Sequence, residues 1–375
     1  MKFWVIPLDV FGTIVEFNPL HAGHLEHLSL TVGSGNKVVA VMSGNFVQRG
    51  EPAIYDKWRR TRMALEAGVD IVLEMPVPYV VFGADYFARA GVGILAATGV
   101  VDVLSFGSEC GDIKAIRDAG HVLAKEPTEY KTALRTKLDS GVSFATARGA
   151  ALEACVKNAP EGLFTKPNNG LAMEYCKALH LLGDPMDVFT THRKSGGPSA
   201  TKIRNEAKKN GKITELDDFS DIFRFLLYSR DFRLAEGLEN RFINLCGEFI
   251  KISDIIAAVK TKRYTHTRLQ RTVIQMLLDI TSEAMAFFEK SGGVQYIRVL
   301  GFRKESADLL GRIVKRATLP VITHGAIMDA VLDGEYGIAA AKMLDKDLQA
   351  GDIYRCATRA MGGRRAERAI PIEKI

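Results

Sequence analysis

The short run Thr13–Phe17 is mostly apolar, stops at Asn18-Pro19 and gives way at once to His21-Ala22-Gly23-His24. Apolar residues recur at Leu25, Leu28 and Leu30. That order predicts a buried strand, a tight turn and an amphipathic helix. A chain built this way carries a helix N-terminus, with its unpaired amides, beyond a strand's end, and such an end attracts anions. His21 and His24 can hydrogen-bond phosphate oxygens, and Gly23 lets a bulky anion approach the backbone. The spacing aims both rings from one turn toward one point. Simple capping of the helix is the other use for these two side chains.

The same alternation continues. Val38–Met42, Ile71–Glu74 and Val101–Phe106 read as further strands, with helices around Asp56–Ala67 and Ala84–Ala97. Strands alternating with helices predict a parallel sheet with crossover helices, and ligands then sit beyond the carboxyl ends of the strands. His21, Ser43-Gly44-Asn45 and Gly107-Ser108-Glu109 all fall there. Residues 112–160 read as helices without a strand. A loop at Lys166–Gly170, a helix from Leu171 and a last strand at Val188–Thr191 follow. From about residue 215 the pattern is mostly helical, broken near Ser291–Gly293 and at Leu319-Pro320. The expected fold is α/β: a Rossmann-like parallel-sheet domain over residues 1–210, then a mostly α-helical domain over 211–375, divided at Lys208–Lys212.

A chain of 375 residues, 47% hydrophobic, can bury a large core and is long enough for two domains. Its net charge of +6 permits an anionic partner but is too mild to demand nucleic acid. Five scattered cysteines without a CxxC pair suggest neither a disulfide framework nor a zinc knuckle. No run of about 18 apolar residues occurs, and the apolar N-terminal stretch is too short for a secretion signal. A reducing cytoplasm is the expected location.

A second phosphate-type feature is Ser199-Ala200-Thr201-Lys202-Ile203-Arg204. Hydroxyls and helix amides there can cradle phosphate, and Arg204 can clamp outer phosphates bidentately. Alone, these six residues read more readily as an ordinary capped helix with a surface arginine. Lys57 and Arg59 are candidates to neutralise a bound anion, or simply part of a surface helix.

Together the two motifs resemble the nucleotidyltransferase superfamily with its HxGH and SxTxxR-type motifs. Further segments resemble one bacterial family, the tRNA(Met) cytidine acetate ligases. They are Gly44–Ala53 with Asp56-Lys57-Trp58, Phe106–Glu109, Lys166–Asn169, Lys262–Thr265 and Tyr296–Phe302. The resemblance spans about Gly12 to Thr323. It implies that ATP activates acetate as acetyl-adenylate, with Mg²⁺ on the phosphates. The acetyl group then passes to N4 of the wobble cytidine of elongator tRNA(Met). Carried across, the resemblance implies an ATP site of Ile14, Val15, Glu16, Phe17, Asn18, Pro19, Leu20, His21, Ala22, Gly23, His24, Leu25 and His27, with Gly107, Asn168 and Arg193. His21 and His24 would be catalytic. Ser199, Thr201 and Arg204 follow from the superfamily pattern and the charge argument. Gly107 and Asn168 also suit turns, and Arg193-Lys194 suits a solvated basic pair. Two departures stand out: Ala22 replaces the family's usual Asn, and the segment between Arg193 and Ser199 is short.

The candidate tRNA surface is KTKRYTHTRLQR, with Lys262, Arg263, Arg268 and Arg271 for phosphates and Tyr264 as a stacking face. A solvated helix face accounts for the same charges. An adenylyltransferase of a small phosphorylated metabolite would not need a long basic C-terminal half. A non-catalytic RNA-binding protein would not need His21, His24 and Arg204.

Overall fold

The computed structural model describes residues 9–33, 35–193, 200–210, 213–230, 238–261 and 264–375, with backbone only at residues 200–202, 210 and 239. Its strands are β1 (Val10–Val15), β2 (Lys37–Ser43), β3 (Phe46–Val47), β4 (Glu51–Pro52), β5 (Ile71–Met75), β6 (Val103–Ser108), β7 (Asp187–His192), β8 (Ile297–Phe302), β9 (Val321–Ile322) and β10 (Glu373–Lys374). The main sheet runs β10-β8-β5-β2-β1-β6-β7, with β9 beside β8. Strands β5, β2, β1, β6 and β7 are mutually parallel. The chain moves from β1 to β2 on one side and later to β6 on the other. A cleft therefore opens at the carboxyl end of β1, where strand order reverses.

Local sequence explains the central strands. In β2, Val38, Ala40 and Met42 face one core cluster while Val39 and Val41 face another, and all five are fully buried. A strand covered on both faces reads as a continuous apolar run, because alternate side chains enter two different cores. Helix Ala84–Ala97 has the bounds expected of it, and helix Lys57–Glu66 is capped by Asp56, whose side chain accepts from the Arg59 amide at 2.9 Å.

Three expectations change. The stretch Lys166–Gly170 is not a loop ahead of Leu171: the helix begins at Pro167. Proline suits the first helical position because its missing N–H has no partner there anyway. Of the apolar residues after the histidines, Leu28 is buried, whereas Leu25 and Leu30 are 45% and 56% exposed. Finally, Val188–Thr191 is not the last sheet strand, because the mostly helical residues beyond 210 add others. They supply β8, antiparallel to β5, together with β9 and β10. All six residues of β8 are buried, Arg298 included. A charge in mid-run hid the strand.

Arg298 is tolerated because it is paired. Lys57 Nζ lies 2.6 Å from both Glu74 Oε1 and Glu367 Oε2. Arg298 Nη1 lies 2.8 Å from Glu74 Oε2, and its Nη2 lies 3.3 Å from Glu367 Oε2. All four side chains are at most 4% exposed. Two cations and two anions thus neutralise one another where β5, β8, the Lys57 helix and the segment around Glu367 meet. No helix among the described residues is long and apolar enough to cross a membrane, and all five cysteines are free thiols.

Candidate active site

Beyond the end of β1, His21 caps the helix Ala22–Val32. Its Nδ1 accepts from the Gly23 amide at 3.1 Å, so the ring proton sits on Nε2 and is available to an acceptor. One turn on, the His24 ring stacks on that of His21, with centroids 3.7 Å apart and planes at 20°. Phe17 supports His24 edge-on at 5.2 Å. His24 Nδ1 is buried without a hydrogen-bond partner. His27, one turn further, bonds Thr191 Oγ1 at 2.8 Å and so ties this helix to β7.

All three imidazoles are held neutral. Burial, then the nearby His21, Arg193 and His27, pushes His24 down to about 3. Burial and Arg193 push His27 down to about 4, and the same two causes lower His21. Burial raises the Glu16 carboxyl, although its Oε1 accepts from the Gln48 amide at 2.6 Å.

These groups line a cavity of about 720 Å³. Of the residues implicated by sequence, it brings together Ile14, Val15, Glu16, Phe17, Asn18, His21, Ala22, Gly23, His24, His27, Gly107, Asn168, Arg193 and Arg204. Pro19, Leu20 and Leu25 do not line it. Ser199 and the side chain of Thr201 lie outside the described residues, as do Lys262 and Arg263. Gly107 lets Arg193 lie close: a Cβ there would be 3.2 Å from Arg193 Cγ. Asn168 Oδ1 accepts from Arg193 Nη1 at 2.9 Å. Glu109 steadies that pair by accepting from Asn168 Nδ2 at 2.6 Å and from the Asn169 amide at 2.8 Å. Arg204 Nη1 lies 3.4 Å from Glu51 Oε2.

Lys57 does not serve the cavity. It is spent in the buried charge cluster, while Arg59 stacks on Tyr55 at 3.7 Å. The residue that does brace the site is Arg60, which sequence reading missed. It is wholly buried and donates from Nη1 to Glu16 O at 2.6 Å, from Nη2 to Ser43 O at 3.0 Å and to Gly44 O, and from Nε to Tyr55 O at 3.0 Å. One guanidinium therefore fixes the carboxyl ends of β1 and β2. An arginine inside a basic-looking helix carries no mark that distinguishes it from its solvated neighbours. The cavity also takes in Gln48 and Arg49 from the turn between β3 and β4, and Glu51 at the start of β4.

Of the candidate RNA residues, Arg268 is exposed and lies over the Tyr264 ring at 5.3 Å. Tyr264 is only 7% exposed, so it packs in the core and does not offer a stacking face. Arg271 is partly buried, and its pKa is lowered by burial and by Arg268.

A family model described as HIGH nucleotidyl transferase matches residues 8–226 and 208–368. A tRNA(Met) cytidine acetate ligase of Thermoanaerobacter sp. (strain X514) is 36% identical, over 93% of this chain and 96% of that one. The protein of the same name from Caldanaerobacter subterraneus subsp. tengcongensis is 37% identical over the same shares. The crystal structure of Thermotoga maritima TmcAL bound with alpha-thio ATP superposes with a TM-score of 0.88 at 31% identity, covering 98% of this chain and 100% of that one.

Proposed function

Because this chain belongs to the tRNA(Met) cytidine acetate ligase family, we propose that it uses ATP and acetate to acetylate N4 of the wobble cytidine of elongator tRNA(Met) in the cytoplasm. The observation that carries this reading is the meeting of the stacked His21–His24 pair, Arg193 and Arg204 on one cavity at the strand-order reversal.

The chemistry follows from where charge builds. An acetate oxygen attacks the α-phosphorus of ATP, the bond to the β-phosphate oxygen breaks, and pyrophosphate leaves with the electron pair. No covalent enzyme intermediate is required; donors aimed in advance at the phosphates are. His21 Nε2–H is such a donor. His24 offers a ring whose buried Nδ1 has no partner inside the protein. Arg193 and Arg204 supply positive charge on the outer phosphates. The N4 amine of cytidine then attacks the acyl carbon, AMP leaves, and the amine loses a proton.

Magnesium enters with the nucleotide in this reading. The carboxylates lining the cavity are Glu16, Glu26 and Glu51; the Gln48 amide engages Glu16, and Arg204 and Gln270 engage Glu51. Such a donor set suits an ion held mainly by phosphates and water, as Mg²⁺ prefers, and not an all-protein cage. The basic segment through Arg268 and Arg271, in residues 211–375, is the proposed tRNA surface.

The test is nucleoside mass spectrometry of tRNA(Met) incubated with protein, ATP and acetate. N4-acetylcytidine should appear only when all are present. His24→Ala should lower acetate-dependent adenylate formation by about 10²-fold or more, the scale for removing one transition-state donor, and leave tRNA binding intact. Pyrophosphate release driven by a phosphorylated metabolite without RNA would overturn the assignment.

A further inference from the structure

Outside the nucleotide cavity, two helices and a turn bring three metal-binding side chains together. His121 lies on helix Ile113–Lys125, and His180 lies in the last turn of helix Pro167–Leu181. Asp184 follows in the turn that leads into β7. The His121 and His180 rings are 4.2 Å apart, and His180 Nδ1 is 3.1 Å from Asp184 Oδ2. One donor atom from each of the three residues lies within 4.8 Å of the others.

The turn holds the carboxylate in place. Asp184 adopts φ 55, a left-handed conformation, and its amide donates to Leu179 O at 2.9 Å. Its side chain, 36% exposed, and that of His180, 24% exposed, leave an ion a way in. Arg117 and Lys125 oppose a cation here, and Asp184 offsets them.

We propose that His121, His180 and Asp184 bind one divalent transition-metal ion of the zinc type. Two imidazoles and one carboxylate suit a borderline ion such as Zn²⁺, and disfavour Mg²⁺ and Ca²⁺, which take oxygen donors. Zinc–ligand bonds of about 2.0–2.2 Å need the three donors to converge on one point between them. Three protein ligands leave one tetrahedral position for water. The ion would clamp the two helices to each other at the entry to β7, the strand that ends beside Arg193.

The test is titration of the untagged, chelator-treated full chain with Zn²⁺ by calorimetry, and with Co²⁺ by visible absorption. The expected result is one ion per chain with intense cobalt ligand-field bands and a zinc-dependent rise in Tm. His121→Ala and His180→Ala should each weaken binding about tenfold or more. Asp184→Asn, at an exposed turn, should do so without disturbing the fold if either histidine variant fails to fold. His24→Ala, which removes a ring from the other histidine group, should leave this stoichiometry unchanged. Absence of a one-to-one zinc complex, or equal affinity in Asp184→Asn and the unaltered chain, would overturn the site.

Discussion

At the scale of single residues, three neutral imidazoles sit on successive turns of one helix. An unfolded chain protonates its histidines near pH 6.5, whereas burial keeps His24 and His27 neutral down to about 3 and about 4. Between those limits the unfolded state binds more protons, so stability must fall as pH drops below about 6.5 and level off near pH 3–4. A thermal-denaturation series in pH should show this slope, and it should shrink in His24→Ala. A flat profile through that window would contradict the burial of these rings. The placement of His21 and His24 at a strand's end was legible because their spacing and the strand before them lie in a handful of adjacent letters. Arg60 was not. Its role depends on the carbonyls of Glu16, Ser43 and Gly44 reaching it from two strand ends, and no local pattern encodes that convergence.

At the scale of elements, the hairpin of β3 and β4 joins the cavity to the helix His266–Leu278. The Gln48 amide reaches Glu16 on one side. Glu51 pairs with Arg204 and accepts from Gln270 Nε2 at 3.1 Å on the other. Gly50, at φ 76, is pressed onto that helix: a Cβ there would lie 2.3 Å from the Arg271 backbone nitrogen. Neither left-handed backbone nor the available space tolerates a side chain. Gly50→Ala should therefore destabilise by roughly 1–3 kcal/mol and lower acetate-dependent adenylate formation, read by chemical denaturation and pyrophosphate exchange. Wild-type values for both would show that the hairpin does not seat the helix. Long, uniformly apolar strands such as β2 were readable from sequence. This hairpin was not, because its two-residue strands are shorter than the alternation that betrays a strand. The helix start at Pro167 was obscured by Asn168, Asn169 and Gly170, residues that usually signal a turn.

At the scale of the whole molecule, the buried quartet Lys57–Glu74–Arg298–Glu367 binds distant parts of the chain into one interior. Lys57 and Arg298 hold the Glu367 carboxyl below its ordinary range in spite of burial, which opposes them. Glu367→Gln should cost about 3–5 kcal/mol, since it leaves an uncompensated buried cation. A two-state denaturation curve would measure it, and a loss under 1 kcal/mol would mean the site admits water. The parallel half of the sheet could be inferred from alternating apolar runs and helices. The contribution of β8 could not, because its partner β5 lies far back in the chain and only three-dimensional pairing reveals the need for a neutralised arginine there. That long-range pairing also sets an order for biosynthesis. Until residues up to 302 have been made, nascent β5 shows a bare apolar flank with Glu74 held by Lys57 alone, a surface on which aggregation or chaperone capture can begin. The sheet beside the histidine-lined cavity, though encoded early, therefore gains a covered flank only late in translation.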